Sequence, residues 1–350
     1  MDILHLPQLV ESLPEDQRKI FDRIFDISVN KGELVLPDTM EEWAENKLGN
    51  CEEQHIVRVT NKVMWEGTLF NELRSKRPVD VRSDEELDKI IEETRGGLFC
   101  HPETQTPADP FGRVKGKHCI TAANIAKYDY LHGLIIFNDH NPFICDQKKI
   151  EDYLQTAAEW LNKANEYDSR AIYPFFMWNC LWRAAASIVH GHAQVLLSDK
   201  PYSTSEFIKN TTSTYSREYD SEYFSDLFTV HKALGLGKEV NRVKVVANLT
   251  PIKEKEIIMI SQELANLPFC ISRALKCYYR LGVRSFTLAI FMPPMEELAE
   301  EEFPYVVRLV DRGDPMSRTT DIGAMELYAG HSVVSDDPFK VFKELEKELK

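Results

Sequence analysis

Residues 187–198 read "SIVHGHAQVLLS". The chain holds 10 histidines, and His190 and His192 stand one residue apart, with Gln194 following at the same interval. In an extended strand, successive side chains face opposite ways. His190, His192 and Gln194 are therefore expected on one face. Gly191 and Ala193 take the other, where their small size admits close packing. Such a strand presents two imidazoles and a carboxamide in a row. An imidazole can attack phosphorus and carry a phosphoryl or nucleotidyl group. A carboxamide can donate to a phosphate oxygen. An HxH pair can also be incidental or bind a metal, although Gln is a poor third ligand for zinc.

The flanks read as alternating strand and helix. Upstream, "LHGLIIFND" is a buried-type strand and "AIYPFFMWN" another. Between them "DQKKIEDYLQTAAEWLNKANEYD" places Ile150, Tyr153, Leu154, Ala157, Ala158, Trp160 and Leu161 on one helical face. Downstream, a polar helical connector is expected over 203–237. The strands "RVKVVANL" and "EIIMIS", the helix "QELANLPFCISRALKCYYRLG" and the strand "SFTLAIFMPP" then repeat the earlier order, before a last helix "DDPFKVFKELEKELK".

Residues 1–53 predict an N-terminal helical extension. "LPEDQRKIFDRIFDISV" carries Ile20, Phe21, Ile24, Phe25, Ile27 and Val29 among charges, and "DTMEEWAENKLG" has a capping Asp38 or Thr39 and a closing Gly. "HIVRVT", Asn61-Lys62 and "VMWEGTLF" predict a hairpin, and "SDEELDKIIEETRGG" a short helix capped by Ser83. The fold class is α/β of the α+β type. Two related halves, 54–202 and 238–350, each carry an antiparallel sheet with a long packing helix, and only the first keeps the histidine row.

Bulk composition sets limits. A length of 350 residues suggests two domains at roughly one per 150 residues. Net charge is −14 with pI near 5.3, which argues against binding to nucleic acid or to anionic membranes. A local arginine cluster can still hold a small phosphate. The seven scattered cysteines form no CxxC pair, which favours a reducing compartment over a disulfide framework. The acidic start "MDILHLPQLVESLPEDQRK" has no apolar signal region, and no run approaches the roughly eighteen apolar residues of a membrane span. A cytoplasmic setting is expected.

"NCLWRAAASIVHGHAQ", 179–194, resembles the active-site stretch of galactose-1-phosphate uridylyltransferases, the transferase branch of the histidine-triad superfamily. That pattern places an Asn eleven residues before the first His and a Ser three before it, ahead of HxHxQ. Asn179, Ser187, His190, His192 and Gln194 match it. "LRSKRP" resembles the family's RxxRP, giving Arg74 and Arg77. "IIFND" resembles its nucleotide-contacting strand end, giving Asn138 and Asp139. "AIFMPP" resembles the strand running into a Pro-Pro pair, and Glu326 falls near a ligand-binding segment. The likeness covers roughly 55–335, in short islands in the right order.

The resemblance implies two HIT-like halves and a ping-pong nucleotidyl transfer. His192 is the implied nucleophile. Gln194 holds a non-bridging oxygen and stabilises developing charge. His190 is a metal ligand or orients His192. Asn179 and Ser187 are implied phosphate partners, as are Arg74 and Arg77, while Asn138 and Asp139 bind ribose. It also implies a homodimer, because in the family the Arg-bearing loop and the C-terminal segment complete the neighbouring subunit's site.

The departures are specific. Family glycines between Asn and Ser are replaced, by Leu181 and Ala185 among others. The family's zinc site uses a CxxC pair, a histidine and the first His of HxHxQ. Here "CHPE" offers Cys100, with Glu103 in the other cysteine's place. Zinc is thus a candidate cofactor, with Cys100 and His190 as candidate ligands and His101, His118 and His140 available to complete the set. The family's second metal site has Leu288 and Ile290 in place of its HxH.

Gln194 also bears on the reaction. Histidine-triad hydrolases carry a third His there, able to protonate a poor leaving group; a Gln cannot. A good leaving group, phosphate or sugar phosphate, is expected, from a nucleotide-sugar or dinucleotide substrate. Three readings stay open: nucleotidyltransferase, nucleoside-polyphosphate or dinucleotide phosphorylase or hydrolase, and non-catalytic nucleotide-binding protein.

Overall fold

A computed structural model describes the chain except for residues 1, 72, 75–83, 297–302 and 318. Arg77 and the Ser83 cap fall outside the described residues.

Thirteen strands are described: β1 Phe25–Glu33, β2 Glu53–Asn61, β3 Glu66–Phe70, β4 Cys119–Ala123, β5 Leu131–Phe137, β6 Tyr173–Asn179, β7 His192–Ser198, β8 Gly237–Val240, β9 Val243–Ala247, β10 Ile257–Ser261, β11 Phe286–Phe291, β12 Tyr305–Asp311 and β13 His331–Val334. Nine form one sheet in the order β4-β5-β7-β6-β11-β12-β10-β9-β8, with every neighbouring pair antiparallel. The fold is α+β, as expected, and the antiparallel strands of its two halves join into one continuous sheet. They meet edge to edge where β6 pairs with β11, from Asn179 opposite Thr287 to Phe175 opposite Phe291.

The long helices of the two halves, Gln147–Tyr167 and Leu267–Arg280, contact each other and pack on their own halves' strands. The first is amphipathic, and Ile150, Tyr153, Leu154, Ala157, Trp160, Leu161 and Ala164 are buried. Asp146 caps it by accepting from the Lys149 amide. A Cβ on Gly133 of β5 would lie 2.6 Å from the Trp160 ring, so only glycine lets the indole rest on the sheet.

The smaller sheet, β1-β2-β3-β13, takes strands from both ends of the chain, and β13 runs parallel to β3. Here the helical reading of the N-terminus needs correction. The helix Glu15–Ile24 stops at Phe25, and Phe25–Glu33 is a strand paired with β2 along its whole length. Ile20, Phe21 and Ile24 keep the helical period; Ile27 and Val29 are β-branched residues two apart, which suits a ladder better. Arg308 of β12 ties the sheets together, with Nε 2.6 Å from Glu256 and Nη2 3.0 Å from Glu66 of β3. The 203–237 segment contains two helices, Ser203–Tyr219 and Tyr223–Ala233.

Candidate functional site

β7 begins at His192, not at His190. His192 pairs with Ile136, and Gln194 pairs with Leu134 and Met177. Alternation puts His192, Gln194, Leu134, Ile136 and His132 on one face, and Gly133, next to the Trp160 helix, on the other. His190 precedes the strand. Gly191 links the two histidines at a close approach: a Cβ there would come within 2.7 Å of the Phe137 ring and 3.2 Å of the Pro142 backbone.

All three side chains of the row are buried. The His190 Nε2–H donates to the Phe137 carbonyl at 2.7 Å. The His192 Nδ1–H donates to the His190 carbonyl at 2.8 Å. That bond fixes the tautomer and leaves a lone pair on Nε2. The Phe99 ring meets His192 edge-on at 5.1 Å and His190 at 6.2 Å. With Ile120, Ala122, Leu134 and Ile136 it forms a small apolar cluster on this face. Burial pushes the His192 pKa down, the bond to the His190 carbonyl opposing it. Burial pushes His190 down to about 4, and the neighbouring imidazoles add to the effect. Burial therefore favours the neutral form of both rings.

Sequence reasoning left the third member of the metal set open, and the structure supplies His140. Cys100 Sγ lies 3.3 Å from His140 Nδ1 and 3.4 Å from His190 Nδ1, and the two Nδ1 atoms are 3.2 Å apart. The His140 Nε2–H donates to the Ile91 carbonyl at 2.7 Å. Each ring thus spends its proton outward on a backbone carbonyl and turns a lone pair inward. Two facing lone pairs beside a sulfur repel one another unless a cation lies between them. This is the second-shell arrangement that metal-binding histidines use. The three groups can hold a metal ion, with a further position open. Glu103 instead pairs with Lys115 at 2.8 Å. His101 is exposed, and the His118 amide donates to Asp152.

The other expected residues divide. Asn179 ends β6, and its Oδ1 accepts from the Thr287 hydroxyl at 3.1 Å, a contact across the seam between the halves. Ser187 is exposed in the loop leading to His190. Asn138 is exposed and donates to the Lys117 carbonyl, while Asp139 pairs with Lys149 at 2.6 Å. Arg74 lies in the turn after β3 of the smaller sheet. Glu326, in a short helix against β13, accepts from the Gly323 amide and pairs with Lys253. The structure gathers Cys100, His140, His190, His192 and Gln194 at one place, and Arg74 and Glu326 lie in segments next to β3 and β13 of the other sheet. One participant escaped the sequence reading: His132, whose Nε2 lies 2.9 Å from Gln194 Oε1. It sits two residues from Leu134, the partner of Gln194, and strand pairing alone could have found it. Leu288 and Ile290 are core residues of β11.

No family model and no curated protein sequence matches the chain. Solved structures do. An ADP-glucose phosphorylase from Arabidopsis thaliana with bound ADP-glucose superposes with a TM-score of 0.63 at 16% identity, over 82% of this chain and 97% of that one. A galt-like protein from Arabidopsis thaliana gives 0.60 at 17% identity, over 72% and 92%. A uridylyltransferase gives 0.58 at 12% identity, over 84% and 98%. The chain shares their fold. Among the described residues no helix is long and apolar enough to cross a membrane.

Proposed function

We propose that the protein is a nucleotidyltransferase of the galactose-1-phosphate uridylyltransferase type, working through a nucleotidyl-histidine. The observation that supports this reading most is the 2.8 Å bond from His192 Nδ1 to the His190 carbonyl, which frees Nε2 of a buried imidazole beside Gln194. His192 Nε2 attacks the α-phosphorus of a nucleotide sugar or dinucleotide. The N–P bond forms, the P–O bond to the first product breaks, and its electron pair leaves with that oxygen. A phosphate or sugar-phosphate oxygen then attacks the same phosphorus and the N–P bond breaks. Gln194 donates to a non-bridging oxygen in both steps.

Asn179 and Ser187 are the phosphate-side contacts in this reading, and Asn138 and Asp139 the ribose side. Arg74, Arg77 and Glu326 enter it through a second copy, as members of a homodimer whose sites are shared. Zinc is the metal we assign to Cys100, His140 and His190. When bound it supplies a cross-link that fixes the His190 backbone, and with it the carbonyl that orients His192. Residues 54–202 are the catalytic half, 238–350 its partner half, 203–237 the connector and 1–53 the extension. The unpaired cysteines support a reducing, cytoplasmic setting.

The neighbour with bound ADP-glucose favours one alternative, phosphorolysis of a nucleoside diphosphate sugar with inorganic phosphate as acceptor. One experiment tests both readings. Purified protein is incubated with α-labelled nucleoside diphosphate sugars and dinucleotides, and then with phosphate, hexose phosphate or water. Acid-labile, base-stable label on the chain is expected, with His192→Ala unlabelled, and the acceptor that discharges it names the reaction. Wild-type protein that no nucleotide labels overturns the covalent reading and leaves nucleotide binding without turnover.

A further inference from the structure

We infer that His132 is a positioning residue that holds Gln194 with its amide nitrogen toward the phosphate. The inference rests on the nucleotidyl-transfer reading above. A glutamine can present either its oxygen or its NH2, and only the NH2 stabilises an anionic phosphoryl group. Which end faces the substrate is decided by what holds the other.

His132 is the second residue of β5, fully buried, on the Gln194 face and diagonal to it. Its Nδ1 receives the backbone N–H of Tyr128 at 3.0 Å. A backbone amide cannot reverse, so Nδ1 is the acceptor. A neutral imidazole that accepts at Nδ1 carries its proton on Nε2. That Nε2–H donates to Gln194 Oε1, with Nε2 and Oε1 2.9 Å apart. Asn124 Nδ2 approaches the same Nε2 at 3.3 Å, but its amide is set by the Ala126 N–H on its oxygen at 2.9 Å, and two donors cannot share one proton-bearing nitrogen. The Asn124 approach is therefore a contact and not a hydrogen bond. A doubly protonated ring would set Nδ1–H against the Tyr128 N–H. Burial works the same way, pushing the His132 pKa down while the bond to Gln194 opposes it. Orientation is thus passed by two hydrogen bonds, from the Tyr128 backbone to His132 and from His132 to the Gln194 oxygen, and the NH2 of Gln194 is left for the substrate.

Without His132 the Gln194 amide turns freely, and in the wrong orientation its oxygen repels the phosphate. His132→Leu should slow formation of the nucleotidyl-enzyme by roughly 10²-fold, close to the loss expected for Gln194→Ala, in kcat rather than KM. His132→Gln, which restores an N–H donor, should recover part of that rate. The deciding measurement is a double-mutant cycle. In a Gln194→Ala background, adding His132→Leu should slow labelling no further; multiplicative losses would overturn the inference. The tautomer is read independently from the imidazole 15N shifts of histidine-labelled wild-type protein. Proton on Nε2 is expected, and proton on Nδ1 overturns the inference even if the His132 variants fail to fold. Wild-type protein that takes no label sinks the nucleotidyl-transfer reading and the catalytic role with it, whereas labelled protein with multiplicative losses sinks the role of His132 alone.

Discussion

Leu181 and Ala185 share a backbone φ of +66°, and neither is glycine. Both lie in the loop between β6 and the histidine row, in backbone that glycine enters more readily, so the loop accepts strain at two positions. Ala185, with ψ 18°, lies in the left-handed region, which costs an L-residue about 1–2 kcal/mol, while Leu181, with ψ 171°, lies in a region that glycine dominates. Ala185 is exposed, so its methyl offsets nothing. Ala185→Gly should stabilise the protein by about 1 kcal/mol, seen as a higher melting temperature. Leu181 is buried, and its glycine variant should lose more packing than it gains in backbone relief.

Gln194→Ala should slow turnover by roughly 10²–10³ while still permitting some covalent label. His192→Gly should take no label from a nucleotide sugar, yet catalyse the second half-reaction when given a nucleoside phosphoimidazolide, whose leaving group supplies the missing imidazole. Failure of that rescue in a folded variant would count against His192 as nucleophile.

Cys100, His140 and His190 should bind one zinc per chain. Elemental analysis of purified wild-type protein checks this, and Cys100→Ser and His140→Ala should each lower the zinc content. A chain that purifies without metal and does not bind it on titration would refute the assignment.

His231 is fully buried between the Leu227 carbonyl, which accepts from Nδ1 at 2.8 Å, and the Leu249 amide, which donates to Nε2 at 3.2 Å. Burial pushes its pKa down to about 4. The unfolded chain then binds the extra proton first. Stability from this group is complete above about pH 6.5 and declines as pH falls toward 4, by on the order of 3 kcal/mol in total. Denaturant midpoints across pH 4–7 should show the decline, and His231→Phe should make it shallower, the remainder coming from His132, His190 and His192, which burial also holds below the usual imidazole range.

Arg308→Leu would leave Glu66 and Glu256 without their shared cation. A loss of about 3–5 kcal/mol is expected from urea unfolding.

The main elements were legible because their periods are clean. The Gln147–Tyr167 helix, β5 and β6 each announce a buried face within one short window. The boundary at Phe25 was not, because helix and strand there use the same apolar residues and only pairing with β2 decides between them. β13 was missed because a four-residue strand parallel to β3 carries almost no local signal. In the site, His192 and Gln194 could be read from alternation. His140 and His132 could not, because what brings them in is the end of β5 and its register against β7, which no stretch of sequence displays alone. For Cys100, spacing named the residue and the fold named its companions.

The seam between β6 and β11 has a consequence for any attempt to divide the protein. A fragment ending before the second half would present Tyr173–Asn179, which carries Phe175 and Phe176, as a bare margin of unpaired N–H and C=O groups. Such margins recruit strands from other molecules. The half that carries the histidine row, expressed alone, should therefore self-associate through β6 and not persist as a monomer. In the intact chain the second half, which lacks the histidine row, serves as the permanent occupant of that margin.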